Sequence, residues 1–301
     1  MLVRNLALAG VLLVAGCGSA SSNSTKGVHG TLQALAQASG LKTVALTPGD
    51  ADFAPGPVRY SFLVVANDGR LVARPTADVW IARGYKEKPY QHATARLETI
   101  GVPGLSKVAL EIPTIYVVNL RVPDAGTYWV LAKPKGATIG GIGNLVVRRH
   151  SYSPALGDKA PASRTPTLAT TGGRLGPLTT ATHPDRHLYT TSVAQALAAH
   201  VPFVLTFATP KFCTSRTCGP VVDVVSRVRK ELSRSAVRFI HVEVFAGNDP
   251  ANGYNRWMRQ WGLESEPWSF LVGRDGRIKA KFEGPVSVGE LRAAVETKLL
   301  G

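Results

Sequence analysis

The sequence predicts two folded domains of different class, an all-β domain followed by an α/β domain. Short β-rich runs separated by Gly, Pro, Asn and Asp fill residues 58–149, which is typical of an antiparallel sheet. From Ser192 onward, patterns of helical period alternate with apolar runs of strand length. Residues 151–190 are rich in Pro, Gly, Ser and Thr, which indicates a linker or an irregular lead-in. With 301 residues, 45% of them hydrophobic, the chain can build both cores.

The N-terminal segment predicts an exported, lipid-anchored protein. MLVRNLALAGVLLVAGC has a positive start, an apolar run over residues 6–15 and small residues before Cys17. That run is shorter than the ~20 residues that a membrane-spanning helix needs. Residues 14–17, Val-Ala-Gly-Cys, resemble a bacterial lipobox; the resemblance implies a signal peptide over residues 1–16 and a lipid on the sulfur of Cys17. The alternative is an ordinary secretory signal with a chance cysteine.

The lipobox resemblance also sets the compartment and the partners of the cysteines. We expect the protein to lie outside the cytoplasm, held to the cell membrane by its lipid. Residues 17–45 begin with a Gly/Ser/Asn-rich stretch and are expected to form a flexible tether. Disulfides persist in such a compartment, and with Cys17 lipidated only Cys213 and Cys218 remain to pair.

The charge of the chain does not predict a nucleic-acid partner. The formal net charge is +15, but the basic residues are scattered singly and form no Lys/Arg block. No nucleic-acid-binding motif is present in the sequence. A basic exterior close to an anionic membrane is the interpretation that the pattern favours.

The β domain is predicted over residues 46–150. Its strand-like runs include VRYSFLVVAND, IYVVNLRV and TYWVLAKP. The stretch from Asp124 to Tyr128 resembles the corner of immunoglobulin-like domains, in which a tyrosine hydroxyl bonds back to the backbone. The cysteine usual two residues after that tyrosine is Val130 here. The resemblance therefore implies an Ig-like β-sandwich without its disulfide.

The α/β domain is predicted over residues 191–301. Ser192 and Gln195 have the spacing of a helix capping box, and Ser287 has the position of a cap before the last helix. The expected order is a helix (192–200), a strand (201–208), a helix (220–232), a strand (237–245), a helix (253–261), a hairpin (268–283) and a final helix (287–300).

That order, with a cysteine pair after the first long strand and Pro267 before the hairpin, is similar to the thioredoxin superfamily. Residues 207–209 (Phe-Ala-Thr), 220–223 (Pro-Val-Val-Asp) and 266–271 (Glu-Pro-Trp-Ser-Phe-Leu) carry the resemblance. It implies a thioredoxin-like fold and thiol–disulfide exchange by Cys213 and Cys218 with the thiols and disulfides of partner proteins.

The resemblance also implies supporting roles for three residues near the cysteines. Pro267 is expected to be cis and catalytic, with Glu266 and Arg216 contacting the substrate. No nicotinamide or flavin motif appears, so no cofactor is expected and a partner protein must supply or accept electrons. The sequence does not indicate whether the protein acts as reductase or oxidase.

The cysteine spacing departs from the thioredoxin pattern of two intervening residues. Four residues separate Cys213 and Cys218, and two alignments with the thioredoxin motif remain open. In a regular helix, residues five apart have Cα atoms roughly 8–9 Å apart, whereas a disulfide needs about 4.4–6.8 Å. We therefore predict a loop over residues 213–218, with the helix starting near Gly219-Pro220. Placement at a helix end favours Cys218 as the attacking thiolate and Cys213 as the resolving thiol.

Two other interpretations of the cysteine pair remain open at this stage. A permanent disulfide in a non-catalytic binding protein would close a loop of six residues, which stabilises by only ~2 kcal/mol. Copper chaperones of the Sco type are also thioredoxin-like, and His241 is the candidate third ligand in the domain core. His241 shares a strand face with Glu243, while Thr206 stands where thioredoxins place a buried acid. No metal site is expected under the exchange hypothesis.

Overall fold

The computed structural model describes residues 30–38, 41–105 and 112–301. Within these ranges the chain forms a seven-stranded β domain followed by a four-stranded sheet with helices. The predicted signal peptide, residues 1–16, and the predicted lipidation residue, Cys17, lie outside the described residues. None of the helices in the described ranges is long and apolar enough to cross a membrane.

All seven strands of the N-terminal domain belong to one closed sheet. Their spatial order is β1-β2-β5-β4-β3-β6-β7, and a parallel pairing of β1 with β7 closes the barrel. The other pairs are antiparallel. The strands are β1 (Lys42–Pro48), β2 (Gly56–Val64), β3 (Thr76–Ala82), β4 (Gln91–Thr99), β5 (Thr114–Val122), β6 (Gly126–Pro134) and β7 (Ile139–Val147).

The closed barrel differs from the two-sheet sandwich that the sequence predicted. Because β3 pairs with both β4 and β6, and β1 with both β2 and β7, no gap in the ladder separates two sheets. Among the described strands of this domain, closure leaves none with an unpaired edge. The predicted tyrosine bond is confirmed, since the buried Tyr128 hydroxyl donates to the carbonyl of Asp124 at 2.8 Å.

The predicted tether over residues 17–45 extends too far along the chain. Helix α1 (Leu32–Gln37) starts at the N-cap Thr31, and β1 begins at Lys42. Leu32 is fully buried against Leu131 of the barrel. These elements are short and their apolar pattern is weak, so their order comes from packing against the barrel and not from local propensity.

The C-terminal unit is a four-stranded sheet in the order β11-β10-β8-β9. β8 and β9 are parallel, and β10 is antiparallel to both β8 and β11. Its strands are β8 (Phe203–Phe207), β9 (Arg238–Val242), β10 (Trp268–Val272) and β11 (Ile278–Glu283). Its helices are α2 (Val193–Ala198), α3 (Cys218–Glu231), α4 (Arg256–Gln260) and α5 (Val288–Val295).

Helices cover both faces of this sheet. One apolar cluster joins α3 and α5 to the sheet, and Val102 from the barrel packs into the same cluster. On the other face, α2 and α4 pack with the fully buried Trp261 and Trp268. The predicted capping box of Ser192 with Gln195 is confirmed, and so is the cap at Ser287.

A network of hydrogen bonds joins the barrel to the C-terminal sheet. One oxygen of the Glu283 carboxylate accepts the backbone N–H groups of Ala51 and Asp52, both at 2.7 Å. The other oxygen accepts the hydroxyls of Tyr152 at 2.9 Å and Ser265 at 2.7 Å. Glu283 ends β11, so this one carboxylate anchors the barrel to the edge of the sheet.

A second contact between the two units is an ion pair with a buried acid beside it. Arg59 of β2 donates to both oxygens of Glu290 in α5, at 2.7 and 3.0 Å. Asp50 lies 3.4 Å from the same guanidinium and accepts the backbone N–H of Ser61. Burial raises the pKa of Asp50 to about 7, because its longer contact with Arg59 offsets only part of the desolvation.

The substitution Glu283→Gln should lower the free energy of unfolding by about 2–3 kcal/mol, because an amide has one acceptor oxygen for four donors. Urea denaturation of the full chain measures the change. Glu296→Gln, on the exposed side of the C-terminal turn, is the matched control and should change stability by no more than about 0.5 kcal/mol. Equal effects of the two substitutions would contradict the role given to Glu283.

The stability of the protein should also depend on the protonation of Asp50. Its pKa is higher in the folded protein, about 7, than the ordinary 3.8, so folding favours the neutral acid. This contribution is complete below about pH 4 and is lost as the pH rises to about 7. Asp50→Asn stays neutral, so wild type should lose stability relative to this variant between pH 4 and 7. Urea titrations at several pH values measure the difference, and a constant difference would refute the assignment.

Candidate active site

The two cysteines lie on either side of the point where α3 begins. Cys218 is the first residue of α3, and Cys213 lies in the loop that follows β8. The N–H of Arg216 donates to the carbonyl of Cys213 at 3.2 Å, and Arg216 has a left-handed φ of 56°. Residues 213–217 therefore form a turn and not a helix, and α3 begins at Cys218, just before the start that the spacing predicted near Gly219-Pro220.

The two thiols differ in their exposure to solvent. Cys218 is completely buried within the apolar cluster under α3, whereas Cys213 is half-buried at the edge of that cluster. Both are free thiols, and their sulfur atoms are in hydrogen-bond contact. A solvent-borne disulfide can therefore reach Cys213 and not Cys218. The sequence favoured Cys218 as the attacking thiolate, so the observed accessibility reverses the expected roles of the two cysteines. The first turn of α3 directs the Cys218 side chain into the core.

The same arrangement separates the acidities of the two thiols. A hydrogen bond from Cys218 lowers the pKa of Cys213 to about 5, and bonds from Ser215 and from the backbone N–H groups of Thr217 and Cys218 add to the effect. Burial raises the pKa of Cys218 above its ordinary value, and the neighbouring Cys213 raises it further. At neutral pH the pair therefore holds one thiolate, on Cys213, and one thiol, on Cys218.

Hydroxyl groups in the turn extend this network. The Ser215 hydroxyl lies 3.2 Å from the Cys213 sulfur and 2.8 Å from the Thr217 hydroxyl. Ser215 had no role in the sequence prediction. Its position two residues after Cys213 was the available signal, since a Ser side chain often bonds to groups two residues away.

The loop before β10 faces the cysteines. The Glu266–Pro267 peptide bond is cis, as the resemblance predicted. Trp268 pairs with Phe207, so the residues before β10 run beside those that follow β8. The Tyr254 hydroxyl donates to the Glu266 carboxylate at 2.9 Å. Burial raises the pKa of Glu266, and the charge of Cys213 raises it further.

The buried polar residues behind the pair are bonded among themselves. The Tyr189 hydroxyl lies 2.8 Å from Nδ1 of His241, whose Nε2 donates to the carbonyl of Ala208 at 3.0 Å. Burial lowers the pKa of His241, so the ring is neutral. Thr206 and Ser269 share a hydrogen bond of 3.0 Å between their hydroxyls. None of these contacts points a histidine nitrogen at the sulfurs.

The copper interpretation finds no support in this geometry. Both ring nitrogens of His241 are already hydrogen-bonded. In the ranges that the structure describes, no group of three His, Cys, Asp or Glu side chains is arranged to hold a metal ion.

A known structure is similar to half of the chain. It is a thiol:disulfide interchange protein, a thioredoxin family protein from Chlorobium tepidum TLS. The match covers 50% of this chain and 97% of that chain, with 14% sequence identity and a TM-score of 0.32. None of the protein-family models and none of the curated proteins matches the sequence.

Alkylation of Cys213 by iodoacetamide should show a pH midpoint near 5 and a plateau above about pH 7. The rate at neutral pH is a poor readout, because a fall in pKa also lowers intrinsic nucleophilicity with a Brønsted coefficient of about 0.4–0.5. Cys218→Ala removes the bond that contributes most to the low pKa, so the midpoint should move to higher pH. Mass spectrometry identifies the alkylated residue. An unchanged midpoint in Cys218→Ala would contradict the role of the hydrogen bond between the sulfurs.

Proposed function

We propose that the protein is a thiol–disulfide oxidoreductase of the thioredoxin type. The observation that carries the proposal is the contact between a half-exposed sulfur of low pKa and a buried sulfur of high pKa. The first is prepared to attack a disulfide, and the second is protected until a mixed disulfide forms beside it. A permanent structural disulfide would need neither the low pKa of Cys213 nor its partial exposure to solvent.

The reaction has two exchange steps. The Cys213 thiolate attacks one sulfur of a partner disulfide, forming a mixed disulfide and releasing the first partner thiolate. Cys218 then loses its proton and attacks the Cys213 sulfur, which releases the second partner thiolate and leaves a Cys213–Cys218 disulfide. Two electrons pass from the dithiol to the partner. A second protein with two thiols then reduces the Cys213–Cys218 disulfide again. In the reverse direction, the same two steps oxidise the thiols of a partner.

The segment around Pro267 is proposed to bind the partner chain. In the described part of the protein, the backbone N–H and C=O of Glu266 pair with no other backbone group. They offer a short edge to an extended segment that carries the disulfide. Arg216 is exposed in the turn between the cysteines, where its side chain would also contact the partner.

The remaining parts of the proposal concern the location and the β domain. We assign residues 1–16 to a signal peptide and Cys17 to a lipid anchor that holds the protein outside the cytoplasm. We also assign the domain of β1–β7 to the Ig-like class on its strand order, although its ladder closes into a barrel and not into two separate sheets. Its strand order and the Tyr128 bond support this assignment. Residues 151–190 would link it to a thioredoxin-like domain over 191–301.

Trapping of the mixed disulfide tests the proposed activity. Cys218→Ala should accumulate one mixed disulfide per chain with a model peptide disulfide, because no thiol remains to resolve it. Cys213→Ser should form none. Mass spectrometry after acid quenching gives the stoichiometry and the site.

A redox titration of wild type separates exchange from a structural disulfide. The reduction potential of a cysteine pair that cycles should lie above about −300 mV, whereas that of a structural disulfide lies below this value. A lower potential, or trapping that does not depend on Cys213, would refute the proposed function.

A further inference from the structure

We propose that the Glu266 side chain carries the protons of the exchange reaction, as acid in the first step and as base toward Cys218 in the second, with Tyr254 holding it in place. This inference rests on the proposed function and assigns to Glu266 a catalytic role beyond contact with the partner.

The second exchange step needs a base, because Cys218 is a buried thiol. Only its thiolate can attack the mixed disulfide. Thr206 occupies the position at which thioredoxins have a buried acid, and its hydroxyl shares a hydrogen bond with the Ser269 hydroxyl. His241 has both nitrogens engaged and is neutral. Neither residue can take the proton of Cys218.

The contacts of two carboxylates, Glu243 and Glu266, distinguish them as candidates for this base. Glu243 accepts the Thr180 hydroxyl at 2.7 Å with one oxygen, while its other oxygen is buried without a partner. Its charge acts on His241 and Tyr189. The charge of Glu266 acts on Cys218 instead. Glu266 is therefore the carboxylate placed to exchange protons with the cysteine pair.

The register of the sheet brings the backbone around Glu266 close to the segment that contacts the Cys218 sulfur. Trp268 lies opposite Phe207, so the chain before Trp268 passes the chain after Phe207. The backbone N–H of Thr209, two residues after Phe207, donates to the Cys218 sulfur. Glu266 stands two residues before Trp268, so its backbone lies close to that segment.

Tyr254 fixes the carboxylate by its hydrogen bond of 2.9 Å to Oε2. The titratable groups that face Glu266 are Tyr254, from the segment before α4, and Cys213 and Cys218, from α3 and the loop before it. Among the described residues, no lysine or arginine forms an ion pair with Glu266. Its protonation therefore follows burial and the charge on Cys213.

This coupling gives the carboxyl the protonation state that each step requires. While Cys213 is a thiolate, its charge favours protonated Glu266, which donates to the first leaving thiolate. Once Cys213 is in the mixed disulfide, that charge is gone, and the ionised Glu266 accepts the proton of Cys218. The proton then passes to the second leaving thiolate. Two protons and two electrons reach the partner, and Glu266 ends as a carboxylate.

A stopped-flow experiment on the full-length protein separates the two steps. The probe is an aromatic disulfide with coloured thiolates, such as 5,5′-dithiobis(2-nitrobenzoate), whose weakly basic leaving group needs no proton. The first release reports attack by Cys213, and the second reports attack by Cys218. In Glu266→Gln at pH 7, the second release should slow by about tenfold or more. The first should change by less than about threefold, and the defect should shrink toward pH 9 as hydroxide replaces Glu266 as the base for Cys218.

Three further variants test the assignment against a structural effect. Glu264→Gln, two residues away and exposed, should leave both rates unchanged. Glu266→Asp should restore part of the second release. Tyr254→Phe removes a bond that lowers the pKa of Glu266, so the pH profile of the second release should move to higher pH. Equal urea midpoints establish that the variants are folded.

The outcomes distinguish this inference from the function on which it rests. If Glu266→Gln leaves the rate of the second release at its wild-type value between pH 6 and 8, the proposed role of Glu266 is overturned. The exchange activity stands in that case. A first release that persists in Cys213→Ser overturns the proposed function and this inference with it.

Discussion

The chemistry of the cysteine pair depends on where helix α3 begins. Because Cys218 is the first residue of the helix, its side chain turns into the apolar cluster, and Cys213 stays in the preceding turn. Their sulfurs nevertheless meet, so one hydrogen bond acidifies the exposed thiol at the expense of the buried one. A helix that began five residues earlier, at Cys213, would include both cysteines and separate their Cα atoms beyond the reach of a disulfide.

The four residues between the cysteines contribute to this asymmetry. Two of them, Ser215 and Thr217, form a hydroxyl chain that ends at the Cys213 sulfur. Arg216 adopts a left-handed backbone conformation that closes the turn. A tighter spacing would leave no room for this turn before α3. The longer loop therefore supplies polar stabilisation of the thiolate that a short helix-end motif would have to draw from backbone groups alone.

The barrel and the active site share one hairpin of the C-terminal sheet. Gly284, just after β11, donates its N–H to the carbonyl of Pro267 at 2.8 Å. The same glycine has a φ of 70°, and a Cβ there would lie 2.3 Å from the carbonyl oxygen of Gly49 in the barrel domain. Glu283 binds the barrel backbone one residue earlier. The β domain therefore helps to fix the position of the Pro267 loop in the candidate active site.

The local features of this protein follow from its sequence alone. They are the order of strands and helices after Ser192, the caps at Ser192 and Ser287, the turn between the cysteines and the bond of Tyr128. Each depends on residues close together in the chain, where periodicity and turn chemistry act directly. The partial exposure of Cys213, the bond between Tyr254 and Glu266 and the closure of the β domain into a barrel arise only in the tertiary structure. These depend on packing and strand register between distant segments. Burial, which raises the pKa of Cys218 and of Glu266, exists only in the folded chain.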